Sequence, residues 1–117
     1  MNRKLADRTK AFALQIIGTY TAVPKTDIGR VIGKQMLRSG TSVGAHCREA
    51  FRSRSDAELV SKLEVAVQET DETMYWMELL IESNVMKDDR LQPLLKEADE
   101  LISIMVTSVK TIKDRRR

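Results

Sequence analysis

The single histidine of the chain, His46, stands beside its single cysteine, Cys47. Any base–nucleophile pair built on histidine would have to use these two. Neighbouring residues on a helix diverge by about 100° and do not face each other, and both fall in a stretch that reads as helix. Cys47 is therefore expected to be a small core residue and not a reactive thiol. Glu58, Glu64, Glu69, Glu72, Glu78 and Glu82 crowd a second helical stretch. A di-iron bundle needs Glu-x-x-His pairs, and the sequence has none, so these carboxylates read as a solvated face with a few inter-helix ion pairs. One cysteine excludes an internal disulfide and a multi-Cys metal site. No HExxH, Walker loop or dinucleotide fingerprint occurs. The expectation is a protein that is not an enzyme, with no catalytic residue, no metal and no cofactor.

The chemistry that remains is electrostatic. Net charge is +3, but residues 1–54 hold 11 Lys/Arg against 3 Asp/Glu, residues 55–109 hold 4 against 13, and residues 110–117 hold 5 against 1. Such an asymmetry either pairs basic with acidic elements within or between subunits, or leaves a basic face for nucleic acid. The candidates for nucleic-acid contact are Arg3, Lys4, Arg30, Lys34, Arg48, Arg52, Arg54, Arg115, Arg116 and Arg117. Aromatics make up 4% of the chain, and none is evident as an exposed stacking platform, so base-specific reading of single strands is not supported. Binding to RNA or DNA would be weakly sequence-selective and salt-sensitive.

These residues need a scaffold, and the pattern supplies four helices. At 117 residues, 42% hydrophobic and 32% charged, the chain is one domain able to bury its own core. The spacing predicts helices over 3–21, 27–50, 55–83 and 90–114, with Pro24 and the polar turn Asn84 to Asp89 among the breaks. Leu5, Phe12, Ile16 and Tyr20, with Ala13 and Ile17 alongside, give the first an apolar face. Ile28, Ile32, Ser39, Val43 and Ala50 are the expected core face of the second. Gly29, Gly33, Gly40 and Gly44 share one sector of that helix beside Met36 and Cys47. Each interior glycine costs about 1 kcal/mol relative to alanine, and a glycine stripe offsets this by admitting a close neighbour. The sector opposite the Ile28 to Ala50 core face carries Arg30, Lys34, Thr41, Ala45, Arg48 and Arg52. Arg38 and Glu49, on its flank, stand about 16 Å apart by helix rise, so each needs a partner on another helix or subunit. Thr26 or Asp27 offers an N-cap, and Ser55-Asp-Ala-Glu58 is a capping-box pattern.

In the third helix Leu59, Leu63, Ala66, Thr70, Thr73, Met77 and Leu80 form a sustained seam. Val65, Trp76 and Leu79 point away from it and read as an oligomer interface. Leu91, Leu95, Ala98, Ile102, Met105, Val109 and Ile112 repeat the spacing in the fourth. Short connections imply an all-α, antiparallel up-down-up-down four-helix bundle. No apolar run reaches the ~20 residues needed to span a bilayer. The start shows no secretory pattern, so the expected location is cytoplasmic, with no membrane contact.

Gln35-Met-Leu-Arg38-Ser39-Gly-Thr-Ser42-Val43-Gly-Ala-His-Cys-Arg-Glu49, followed by a Ser/Arg-rich turn, resembles the signature of the 23S ribosomal RNA intervening-sequence proteins. That signature reads roughly Gln-Leu-Arg-Ser-Ala-x-Ser-Ile and then Asn-x-x-Glu-Gly. Lys62-Leu63 to Glu69-Thr70 and Trp76 to Leu80 resemble its second block. Ala50 stands where the family usually has glycine, and His46 or Cys47 near its usual asparagine. The resemblance implies a homopentameric barrel. It assigns Arg38, Ser39, Ser42, Glu49 and Glu69 to a polar framework fixing helix register and subunit contact, or forming a ligand site. A related branch, the accessory protein of diversity-generating retroelements, implies nucleic acid and a reverse transcriptase as partners. The alternative function is thus a scaffold recruiting a partner such as a reverse transcriptase, with no nucleic-acid contact of its own. Small helical ribonucleases of the HEPN class space an arginine and a histidine more closely than Arg38 and His46, which enclose seven residues.

Overall fold

A computed structural model describes residues 3–115, so Arg116 and Arg117 lie outside the described residues. It contains α1 (Arg3–Thr21), α2 (Asp27–Phe51), α3 (Asp56–Glu82) and α4 (Asp88–Arg115), and no strand among the described residues. The helices run antiparallel in sequence order, forming a rod of 50 × 20 × 19 Å. Each packs against its chain neighbour, while α1 meets α4 along a much thinner seam.

Local chemistry sets the boundaries. Thr26 caps α2 by accepting from the Gly29 amide at 3.1 Å, and Ser55 caps α3 by accepting from Glu58 at 3.1 Å. α3 ends at Glu82, and the turn that follows holds Asn84 at a φ of 62°, the left-handed conformation that asparagine tolerates. There the Val85 amide reaches back to the Leu80 carbonyl and the Asn84 amide to Ile81, at 3.0 and 2.9 Å, closing the last turn. α4 starts at Asp88, two residues before the predicted Arg90. Asp88 and Asp89 bring negative charge to the helix N-terminus, and the Asp88 carboxylate accepts from Gln92 at 2.6 Å. Pro93 falls inside α4.

The core follows the predicted seam closely in α3 and less so elsewhere. In α3, Leu63, Ala66, Thr70, Thr73, Met77 and Leu80 are buried as expected, with Val60 buried in place of Leu59. In α4 the buried pair is Leu94 and Leu101, not Leu95 and Ile102. On α1, Ile17 is exposed, whereas Thr9 and Thr19 are buried with their hydroxyls on the Ala6 and Gln15 carbonyls. The main correction is on α2. Ile28, expected in the core, is 54% exposed, while Gly29, Gly33, Met36, Gly40 and Cys47 are buried. The glycine sector is what faces α1: a Cβ on Gly40 would lie 2.9 Å from Ile16, and one on Gly44 would lie 3.3 Å from the Thr9 hydroxyl. Bringing that sector inward turns Ile28 and Val31 out.

Candidate nucleic-acid interface and oligomer face

The basic residues of α2 keep the positions their spacing implies. Arg30, Lys34, Arg48 and Arg52 are all exposed along its solvent side, with Thr41 half-buried and Ala45 exposed between them. None makes an ion pair among the described residues, where the cations that do are Arg8, Arg38, Lys62 and Lys113. Arg8 bonds Glu97 at 2.5 Å and Glu100 at 3.2 Å across the α1–α4 seam. Two arginines of the basic half are thus tied to the acidic half, and the rest of its charge is left facing solvent.

Antiparallel order then sorts the candidates into two groups. The start of α1, the end of α2 and the end of α4 lie at one end of the rod, which gathers Arg3, Lys4, Arg48, Arg52, Arg54 and Arg115. Asp7, Glu49, Asp56, Glu58 and Asp114 share this end and offset part of its charge. Arg30 and Lys34 stand apart, toward the opposite end of α2. At the basic end a groove of about 450 Å³ runs between α1 and α2. Its floor is Ala6, Ala13, Thr41, Gly44 and Ala45, and its cations are Lys10, Arg48 and Arg52 beside Glu49. The sequence reading missed Lys10 here, because only helix pairing shows that it rises beside Arg48. The small side chains on the floor leave the three cations standing clear to solvent.

The framework residues do different things. Arg38 reaches α3, bonding Glu69 at 3.4 Å and also Glu72, while its Nε donates to Gln35 at 3.1 Å. Glu49 pairs with Lys62 of α3 at 3.0 Å, and that hydrogen bond holds its carboxyl below the usual range. Both partners required on another helix are therefore on α3. Ser39 and Thr73 meet at 2.8 Å in the buried α2–α3 contact, and each reaches the carbonyl four residues back in its own helix. Ser42 bonds only its own helix, donating to the Arg38 carbonyl at 2.7 Å. These contacts fix register: one residue forward on α2 corresponds to one residue back on α3.

That register places Val31 level with Leu79. Ile28, Val31 and Tyr75 are 54%, 65% and 54% exposed, and Leu79 is half-buried on the outer side of α3; Val65 is half-buried too but lies about 21 Å from Leu79 along the helix, outside this group. Trp76 is partly accounted for within the protomer. It packs against the core, meets Tyr75 edge-on at 5.2 Å, and donates from Nε1 to Glu72 at 3.3 Å. The result is an apolar strip on the α2–α3 face that the sequence reading found on α3 and missed on α2.

Residues 2–107 match the 23S rRNA-intervening sequence protein family. The chain belongs to this family. It is also similar to the crystal structure of a protein of unknown function from the S23 ribosomal protein family of Bacteroides thetaiotaomicron. The two share 33% identity and a TM-score of 0.85, over 91% of this chain and 98% of that one. No curated protein matches the chain. In this family member, Ala50, where the resemblance expects glycine, is buried in the core.

His46 and Cys47 diverge as adjacent helical residues must. His46 is half-buried with Nδ1 lacking a hydrogen-bond partner, while Cys47 is fully buried with Sγ 3.7 Å from Met105 Sδ. Burial pushes the Cys47 thiol from 9.0 up to about 11. A thiol raised on folding stabilises the native state below its unfolded pKa and withdraws that support as pH rises toward the folded value. Stability is therefore expected to fall between about pH 9 and 11 by roughly 2–3 kcal/mol. Urea unfolding across this range, with Cys47→Ala as reference, isolates the effect. Equal slopes for the two proteins would show that the thiolate is not penalised. Among the described residues no His/Cys/Asp/Glu group is arranged to hold a metal ion, and no helix is long and apolar enough to cross a membrane.

Proposed function

We propose that this family member is a non-enzymatic, oligomeric four-helix bundle that binds RNA or DNA through the phosphate backbone without reading base sequence. The observation that carries this reading is the basic end. Three helix termini bring Arg3, Lys4, Arg48, Arg52, Arg54 and Arg115 together, exposed and outside every ion pair among the described residues. Charge converged in this way attracts a polyanion over several ångströms and releases its counterions on contact. The apolar strip of Ile28, Val31, Tyr75 and Leu79 supports assembly, with a second copy covering it; the family resemblance points to a pentamer. The cytoplasm is the proposed location.

One feature favours the scaffold alternative. Glu78 and Glu82 on α3 are exposed and outside every ion pair among the described residues, so a neighbouring copy's α3 is able to neutralise the basic face. A protein partner such as a reverse transcriptase would then be held by the remaining surface.

Fluorescence anisotropy of labelled RNA and DNA across a salt series separates the readings. Affinity should fall steeply with salt, and Arg48→Ala/Arg52→Ala/Arg54→Ala should lower the log–log slope by about 3. Absence of binding at low salt, or binding unchanged in the triple variant, would overturn the nucleic-acid reading.

A further inference from the structure

Two pairs of cations, three of them on α2 and the fourth, Arg52, at its C-cap, repeat each other. Arg30 and Lys34 are one helical turn apart, as are Arg48 and Arg52, and each residue of the second pair follows its counterpart by 18 positions. Eighteen residues are five full turns, so the two pairs share one azimuth and stand about 27 Å apart along the helix. All four are exposed. The stretch between them is uncharged on that azimuth: Thr41 and Ala45 occupy it, and Arg38 is turned aside to Glu69 and Glu72. This is an interrupted contact surface, not a continuous basic track.

An interrupted surface suits a ligand whose phosphates face it at intervals. A flexible single strand offers charge everywhere and gains nothing from the gap. A duplex lying along α2 turns each strand toward the protein once per helical repeat. B-form DNA repeats at about 34 Å, longer than the separation of the pairs. The A-form duplex of double-stranded RNA repeats over a shorter distance and is recognised by shape and phosphate contacts. Resting on the nucleic-acid reading above, we infer that the ligand is an A-form RNA duplex lying along α2, its backbone gripped by the Arg30/Lys34 and Arg48/Arg52 pairs one repeat apart.

The test uses the full-length protein with RNA duplexes of about 6 and about 16 base pairs, the matching DNA duplex, and single strands. The longer RNA duplex should bind at least tenfold tighter than the other probes. Arg30→Ala/Lys34→Ala should weaken it on the order of 50-fold at 0.1 M salt, with the slope reduced by about 2. A charge-conserving variant, R30A/K34A/T41K/A45K, restores the two cations at the wrong spacing and should not restore binding. Arg30, Lys34 and Ala45 are exposed and Thr41 is half-buried, so circular dichroism and thermal unfolding must be unchanged for each variant before its binding is read. Full recovery in the charge-conserving variant, or equal binding of single strands and duplex, would overturn the spacing inference while leaving electrostatic nucleic-acid binding intact. Loss of all binding in every probe would instead defeat the underlying reading.

Discussion

Gly29→Ala should destabilise the protein by about 3 kcal/mol and lower Tm by on the order of 10 °C. A Cβ at this position would collide with the Pro24 carbonyl oxygen and lie 3.1 Å from the Thr26 hydroxyl. The first of these is backbone, in the short connection that brings the chain from α1 into α2. It has no rotamer through which to retreat. Relief requires moving the connection, which would disturb buried Val23 and the Thr26 cap together. Loss of a cap alone costs about 1 kcal/mol, and the gain in helix propensity on replacing glycine does not recover both losses. Gly18 provides the control, because a Cβ there meets nothing within 4 Å. Gly18→Ala should stabilise by about 0.5–1 kcal/mol. Chemical denaturation of the two variants decides the matter, and a Gly29→Ala protein as stable as the parent would mean that the α1–α2 connection is not held where it is described.

Ile28→Glu/Val31→Glu should convert the oligomer proposed above to monomers while leaving the protomer folded. Both side chains are more than half exposed, so neither supports the core of its own bundle. In an interface they would be buried, and two carboxylates carried into an apolar contact cost several kcal/mol. Glutamate near the start of α2 also suits the helix dipole. Sedimentation velocity at micromolar concentration should show the parent as an oligomer and the variant as a monomer, with unchanged helical signal. A parent that sediments as a monomer would remove the assembly from the proposed function. An oligomeric variant would place the interface elsewhere.

The same two residues show where a linear reading loses its grip. Four helices, their caps and the α3 seam were legible because α3 interleaves its buried positions with charges at strict helical spacing. On α2 a core face of Ile28, Ile32, Ser39, Val43 and Ala50 holds for Ser39, Val43 and Ala50 but puts Ile28 inside, although the glycine stripe beside it already marks a close-packing sector. Glycine carries no hydropathy signal, yet the glycine sector is what lets α1 approach. On α4 the neighbouring pairs Leu94-Leu95 and Leu101-Ile102 offer two apolar residues where one is needed, and periodicity cannot choose between them. The basic end was less legible. Its members were named individually, but their convergence depends on which helix termini share an end. Lys10 shows the cost, since nothing near it in sequence links it to Arg48.

The thin seam between α1 and α4 gives the bundle a mechanical asymmetry. α1 is fastened along one flank by the glycine face of α2 and along the other chiefly at Arg8, through Glu97 and Glu100. It resembles a barrel stave hooped on one side only. Local opening that begins there separates α1 from α4 before it disturbs the α2–α3 contact, where Ser39 and Thr73 meet in the buried interior. The apolar strip proposed for assembly lies on that sturdier side, so the subunit is most rigid where a neighbour would lean on it.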